Sequence, residues 1–375
     1  MSDQKYRIAV LLPFAENFSN DKAGAISLFC FDLSSFSRYR SSLIFYGKEL
    51  NSSPPQHQYR GLKPRFRTIK GRNIGLASAF YHSVKHNPPD LIEIHNRPQV
   101  FFYLKRKLPK IPISLFLHND ATLMKPTRSP QARKKLLDMA AAIYCVSDYI
   151  RQRFLENTDV DKESARSKLH VLYNGIGRLS DSLTDKQNLI LYAGRIVEEK
   201  GALEFAEASA LVLPDYPDWK AVMIGSQRHG QTGRLSEFEA RVQECLRPLG
   251  PQAEFLGHRP YAEVLQFFQH AAIVAVPSKW NEPLGRTAIE ALASGSALIS
   301  SANGGLAEIN NGCGMLLKTV NRDSLAYALN SLLSDNDMRK TIQQKCWDAF
   351  SQFEQKQVSS ILDEHRDALL LPKDS

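Results

Sequence analysis

The amino-acid sequence predicts an α/β protein made of two doubly wound, Rossmann-like domains. Three observations carry this reading. Short apolar runs of strand length alternate with longer helix-like segments, and the alternation passes through the chain twice. Most of these runs end in glycine or polar residues, as strands do where an open parallel sheet presents its carboxyl ends to a ligand. A length of 375 residues suits two such domains.

The first strand is Tyr6-Arg-Ile-Ala-Val-Leu-Leu-Pro13, and after a polar loop Ala23-Gly24-Ala25 opens a helix. Two further strands, Asp90-Leu-Ile-Glu-Ile-His95 and Ile113-Ser-Leu-Phe-Leu-His118, end in the polar tips His95-Asn96-Arg97 and His118-Asn119-Asp120. Both tips are expected on one edge of the sheet, and Asp120 is of the type that caps a turn or helix. Ala141–Ser147 is another strand, with Ser147 and Asp148 capping the helix that holds Arg151 and Arg153. The strand Leu169–Gly175 then leads to a polar stretch, Ser180–Asn188, that reads as an interdomain linker.

The second half repeats the pattern. Leu189-Ile-Leu-Tyr-Ala-Gly194 is a strand followed by Arg195 and Lys200-Gly201, which places two cations at the carboxyl edge of a parallel sheet. Ala221–Ser226 and Glu254–His258 are strand ends of the same type, presenting Gly225 and His258. Ala271–Pro277 is a buried strand, and Ala288, Ile289, Ala291, Leu292 and Ala293 form a packed helix stopped by Gly295. Between them lies Glu282-Pro-Leu-Gly-Arg-Thr-Ala-Ile-Glu290, with one carboxylate in a loop and the other inside the helix. A helix N-terminus after a strand receives anions on its N–H groups. The two carboxylates stand at its two sides, suited to accept hydrogen bonds from hydroxyls. An anion between hydroxyls describes a sugar nucleotide. Taken alone, such a glutamate pair is common as solvated surface charge; the surrounding motifs distinguish it.

Charge is unevenly divided. Residues 1–180 carry a net charge of +15 and residues 181–375 a net −6, within a total of +9. The basic excess includes Arg60, Lys63, Arg65, Arg67, Lys70 and Arg72, then Lys105-Arg106-Lys107. Such a face attracts anionic partners, and each basic residue near an anionic bilayer contributes roughly 1 kcal/mol. No zinc spacing, helix-turn-helix or RNA-recognition signature accompanies it, so the expected partner is an anionic membrane surface and not nucleic acid. No run approaches about 18 apolar residues, which argues against a membrane-spanning helix. The polar Ser2-Asp3-Gln4 start leads directly into a core strand and does not read as a signal peptide. Five scattered cysteines offer no disulfide or metal framework and suit a reducing compartment. Asp159-Val160-Asp161 matches a metal-binding Asp-x-Asp in form, but it lies in a polar loop away from any strand end and reads as chance.

The segment from Glu282 to Glu290 resembles the Glu-x7-Glu signature of glycosyltransferase family 4, a group of retaining enzymes of the GT-B fold. Arg195 and Lys200 resemble that family's diphosphate-binding pair, and Asn303-Gly-Gly-Leu-Ala-Glu308 is similar to its Gly-Gly-x-x-Glu. The resemblance implies two domains facing across a cleft. The N-terminal acceptor domain would span 1–178, completed by a helix at about 352–375, and the nucleotide-sugar domain would span 179–351. It implies a donor site of Gly24, Arg195, Lys200, Gly225, His258, Glu282, Leu284, Gly285 and Glu290, with Glu282 on the sugar and Glu290 on the ribose. His118 resembles the family histidine beside the donor sugar and, with Glu282, Arg195 and Lys200, would be catalytic. His95, Asn96, Arg97 and Asp120 are candidate acceptor contacts. No metal or other cofactor is expected beyond the nucleotide-sugar co-substrate, a UDP-sugar. The two polar tips resemble those of enzymes that assemble bacterial lipopolysaccharide and surface polysaccharides, implying a hexosyltransferase with a glycolipid or oligosaccharide acceptor. The implied location is cytoplasmic, peripheral on the inner face of the plasma membrane. A sugar-nucleotide epimerase on the same architecture, a GDP-mannose-dependent mannosyltransferase and a small soluble acceptor are the alternatives.

Overall fold

The structure is a computed structural model that describes residues 6–18, 24–50, 58–64, 71–227 and 235–371. Ala23, Arg65, Arg67 and Lys70 lie outside the described residues. The chain divides into two compact units, one of residues 1–175 and 355–375, the other of residues 176–354.

In the first unit, β1 (Ile8–Leu11), α1 (Ala25–Ser34), β2 (Leu43–Lys48) and β3 (Gln58–Leu62) are followed by α2 (Arg72–Val84) and β4 (Leu91–His95). Next come α3 (Pro98–Lys107), β5 (Ile113–Leu117), α4 (Pro130–Met139), β6 (Ala142–Cys145), α5 (Asp148–Leu155), α6 (Lys162–Arg166) and β7 (Leu169–Val171). The strands form one parallel sheet in the order β3-β2-β1-β4-β5-β6-β7.

In the second unit, β8 (Gln187–Ala193), α7 (Ala202–Val212), β9 (Lys220–Ile224), α8 (Glu237–Leu246), β10 (Ala253–Gly257) and α9 (Tyr261–His270) come first. They lead to β11 (Ala271–Val276), α10 (Arg286–Ser294), β12 (Ala297–Ser301), α11 (Leu306–Asn310), β13 (Met315–Leu317), α12 (Arg322–Ser334) and α13 (Asn336–Ala349). This sheet is also parallel, in the order β10-β9-β8-β11-β12-β13. The last helix, α14 (Gln355–Leu370), returns to the first unit and packs on α1.

The order of strands locates the functional loops. Each sheet reverses its winding at one point, between β1 and β4 in the first unit and between β8 and β11 in the second, and ligands of open α/β sheets bind beyond the strand ends there. The central strands β1, β4, β5 and β11 are short, mostly apolar and buried on both faces, as parallel sheets require. Sequence expectation and structure differ over the stretch 180–188. Gln187 and Asn188 already belong to β8, and the Lys186 amine donates to the carbonyls of Gln269 (2.7 Å) and Ser294 (2.5 Å). A half-buried lysine needs such partners, so this segment is part of the second unit and not a free linker. The chain changes units at Gly175, where a Cβ would come within 2.8 Å of the Gln355 Cα.

α14 is held by charge as well as by Val358 and Leu362. Arg366, 5% exposed at its side chain, donates through Nε and Nη2 to the two oxygens of Glu93 on β4, both at 2.8 Å. Its Nη1 donates to Asp363 (2.9 Å) and Ser37 (3.1 Å), so the guanidinium is satisfied by a fixed set of partners. Removing one member of such a buried pair leaves the other charged and alone, which costs about 3–5 kcal/mol. Arg366→Ala is therefore expected to lower unfolding free energy by about that amount in urea titration, whereas Lys63→Ala, which breaks the exposed pair with Glu49, changes it by less than about 1 kcal/mol.

Candidate active site

The second unit brings its predicted residues to the β8/β11 reversal. The loop after β8 carries Arg195 and Lys200, and the loop after β11 carries Ser278 to Gly285. One carbonyl joins them: Glu199 O accepts from Lys279 N (2.9 Å), Trp280 N (3.1 Å) and Ser278 Oγ (3.2 Å). Beneath the first loop, the buried Tyr192 hydroxyl donates to Arg195 O at 2.9 Å. Burial, and then the nearby Glu282 charge, push this phenol's pKa far above its ordinary value, so it remains a neutral donor.

Glu282 is largely buried and its carboxylate takes an ion pair from the Lys200 amine. Its backbone is held by the turn that follows β12. Gly305 N donates to Glu282 O at 2.7 Å, and Gly304 has φ of +64°. A Cβ on Gly304 would lie 2.2 Å from Glu282 O, so glycine is the one residue that admits this approach. Asn303 Nδ2 donates to Ser278 O (2.8 Å) and completes the clamp. Arg195 does not join this group: its Nη2 pairs with Glu199 Oε1 at 2.7 Å and its side chain is 40% exposed. Sequence reading brought Arg195 and Lys200 to one point; the structure gives each cation its own carboxylate.

Two residues beyond Glu282, the amides of Leu284 and Gly285 stand at the start of α10, for which Gly285 is the N-cap. Neither amide makes a hydrogen bond to the described residues, so both keep the capacity to bind an anion that helix N-termini have. Within α10, Glu290 is buried and its Oε1 accepts from the Tyr261 hydroxyl (2.7 Å) and Arg286 Nε (3.0 Å). Arg286 Nη2 also reaches the Tyr261 hydroxyl at 2.9 Å. Tyr261 and Arg286 were missed by sequence reading; the only hint was an aromatic residue opening the helix after a glycine-ended strand. Gly225 serves packing, for a Cβ there would lie 1.7 Å from Gly194 O, at φ +141°. His258 is exposed at the end of the edge strand β10, and no described contact ties it to Glu282, Lys200 or Arg195.

In the first unit, His118 follows β5 and His95 ends β4. Their rings meet, His95 Nδ1 to His118 Nε2 at 3.0 Å. His95 is 2% exposed and stacked on Phe116, so it stands behind His118. Asn96, 5% exposed with φ of +56°, accepts from His118 N through Oδ1 (3.3 Å) and is likewise a support. Arg97 Nη1 turns back onto Asn96 O at 2.7 Å. Asp120 caps the turn after β5, accepting from Thr122 N (2.8 Å) and Oγ1 (2.7 Å) and from Arg153 Nε (2.7 Å). Burial alone would raise its carboxyl pKa; the Thr122 and Arg153 hydrogen bonds outweigh it and hold the pKa below the usual value. Asp120 is thus engaged by its own turn and by Arg153. Gly24 is the N-cap of α1, but Glu16 occupies that end, accepting from Ser27 N at 3.1 Å. An anion arriving at Gly24 has to displace a carboxylate. Asp159 pairs with Lys134 at 2.7 Å on the surface.

Two parallel-sheet units of this topology, with loop motifs at each reversal, define the GT-B class of α/β proteins. The known proteins agree. Residues 180–346 match the family described as "Glycosyl transferases group 1", and residues 29–177 match "Glycosyltransferase Family 4". The chain thus carries a group 1 glycosyltransferase domain at 180–346 and a family 4 domain at 29–177. It is 26% identical to the putative glycosyltransferase YtcC of Bacillus subtilis, over 66% of this chain and 65% of that one, just under two thirds of the relative's length. It is 22% identical to the lipopolysaccharide 1,2-N-acetylglucosaminetransferase of Salmonella typhimurium, over 73% of this chain and 71% of that one. Among solved structures, Anabaena HepE in complex with UDP shares the fold at a TM-score of 0.74 and 17% identity, covering 96% of this chain and 100% of that one.

Four histidines of the first unit are depressed in pKa by burial: His95 strongly, His118 to about 3, His170 to about 4 and His365. Repulsion from His118 adds to it at His95, and repulsion from His365 adds to it at His170. An unfolded histidine takes up its proton near pH 6.5, and the folded chain does not. Their contribution to stability is full above that pH and is lost as pH falls towards about 3–4. The melting temperature is expected to be level above pH 7 and to fall below about 6.5, with a shallower fall in His118→Phe and His170→Phe.

Proposed function

We propose that this glycosyltransferase moves a hexose or N-acetylhexosamine from a UDP-sugar to a hydroxyl of a glycolipid or polysaccharide precursor. The pathway would be bacterial lipopolysaccharide or surface-polysaccharide assembly, with the anomeric configuration retained. The observation that carries the donor reading is the group at the β8/β11 reversal. Two unsatisfied amides open α10, the Lys200–Glu282 pair lies two residues before them, and Glu290 is buried within the same helix. The names of the Salmonella relative and of the UDP complex support the acceptor class and the base.

In this reading the diphosphate lies on the Leu284 and Gly285 amides. Lys200 already stands beside Glu282, and Arg195 joins by leaving Glu199, an exposed pair worth no more than about 0.5 kcal/mol. These cations and amides stabilise charge on the departing diphosphate without a divalent metal. Glu282 accepts from the sugar hydroxyls and Glu290 from the ribose, taking the place now held by the Tyr261 hydroxyl. The departing phosphate oxygen takes the acceptor's proton on the same face, and His118 hydrogen-bonds the sugar.

Thermal stabilisation across UDP, GDP, ADP and their sugars, with Mg²⁺ and with chelator, tests the donor site. UDP and UDP-sugars are expected to raise the melting temperature equally with and without metal. Glu290→Ala and Arg195→Ala should reduce the rise. No shift with any nucleotide at millimolar concentration overturns the assignment.

The same proposal places the chain on the inner face of the plasma membrane through its basic first unit, where Arg60, Lys63, Arg72, Arg106 and Lys107 are exposed. No helix of the described residues is long and apolar enough to cross a membrane. Co-sedimentation with phosphatidylserine vesicles, weakened by 0.5 M salt and by Arg106→Glu with Lys107→Glu, is the expected outcome; equal binding to phosphatidylcholine rules against it.

A further inference from the structure

We propose that His95 is a positioning residue that fixes His118 as its Nδ1–H tautomer. The polar atom that His118 leaves open to a ligand is then a hydrogen-bond donor and cannot act as a base. The consequence for sugar transfer rests on the functional reading above; the tautomer itself rests on geometry.

His118 has two ring nitrogens, and the structure accounts for one of them. Nε2 lies 3.0 Å from His95 Nδ1. Nδ1 has no hydrogen-bond partner among the described residues and is not among the buried unsatisfied atoms, so it is the nitrogen that remains accessible. The ring is held in place by the edge of Phe29, at 5.0 Å between centroids and 83°, and the backbone by Asn96 Oδ1. Burial keeps both imidazoles neutral, so the His95–His118 contact contains a single hydrogen. The nitrogen that owns it decides what His118 offers at Nδ1.

The surroundings of His95 decide the ownership. Its other nitrogen, Nε2, faces Cys30 Sγ at 3.8 Å, in a small cavity that Arg366 also lines. The Cys30 thiol is buried and neutral, and so has a hydrogen to donate. Arg366 lines the same cavity with its charge taken up by Glu93 and Asp363, so the thiol is the donor that faces this nitrogen. That contact places a lone pair on His95 Nε2 and the hydrogen on His95 Nδ1. His95 then donates to His118 Nε2, and His118 must carry its hydrogen on Nδ1. An outward N–H meets a lone pair, such as that of a sugar hydroxyl oxygen. It has no capacity to take the proton of an attacking hydroxyl.

The experiment is long-range ¹H–¹⁵N correlation on the full chain labelled at histidine, at pH 7.5, with His118 assigned by comparison with His118→Asn. A protonated, pyrrole-type Nδ1 and a pyridine-type Nε2 at His118 are expected in the wild type; the reverse pattern overturns the proposal. In His95→Phe the Nδ1–H pattern should be lost, whereas His95→Asn, whose amide still donates, should keep it. Turnover of UDP-glucose should fall about tenfold in His95→Phe, about 1.4 kcal/mol in barrier, and recover in His95→Asn, with UDP affinity unchanged in both. An Nδ1–H pattern unaltered in His95→Phe also counts against a positioning role. Absence of UDP binding in a chain that shows the expected tautomer would sink the functional reading and leave the tautomer standing.

Discussion

The second unit's site depends on the backbone clamp around Glu282. The loop after β11 has no regular structure of its own, and loops of this kind are normally the mobile part of an α/β unit. Here the Gly304-Gly305 turn takes the Glu282 carbonyl, Asn303 takes the Ser278 carbonyl, and the Glu199 carbonyl collects Ser278, Lys279 and Trp280. Three connections therefore share one set of hydrogen bonds. The Glu282 carboxylate, the Lys200 amine and the amides at the start of α10 are held together by these backbone hydrogen bonds and by their own ion pair.

The first unit relies on a different device. Its β4 strand ends in the residues that support His118, and the same strand carries Glu93, which binds Arg366 two-fold. The helix returning from the end of the chain thereby sits against the strand that orients His118. The buried charges, neutral histidines and thiol in this region form one electrostatic environment, so Arg366 contributes both to the anchoring of α14 and to the field at His95.

Much of this was legible in the sequence because it depends on local pattern. The apolar runs became strands and Gly295 stopped α10, as periodicity and helix-stop chemistry predict. Glu282 in a loop and Glu290 in a helix followed from the same pattern. Less legible were the partners. That Arg195 meets Glu199, that Lys200 meets Glu282, and that Glu290 meets Tyr261 and Arg286 depends on which loops the sheet order brings side by side. His95 and Asp120 have the composition of ligand contacts, yet burial and a turn cap engage them elsewhere. Residue type announces the capacity to hydrogen-bond and is silent on whether that capacity is already used.

The sequence by itself determined the fold class, the strand ends where chemistry gathers and the uneven charge, because each follows from short-range pattern or composition. The tertiary structure decided where one unit gives way to the other, which carboxylate each cation meets, and that His95 stands behind His118 and not beside it. Those outcomes are set by sheet order and by burial, and both join residues far apart along the chain.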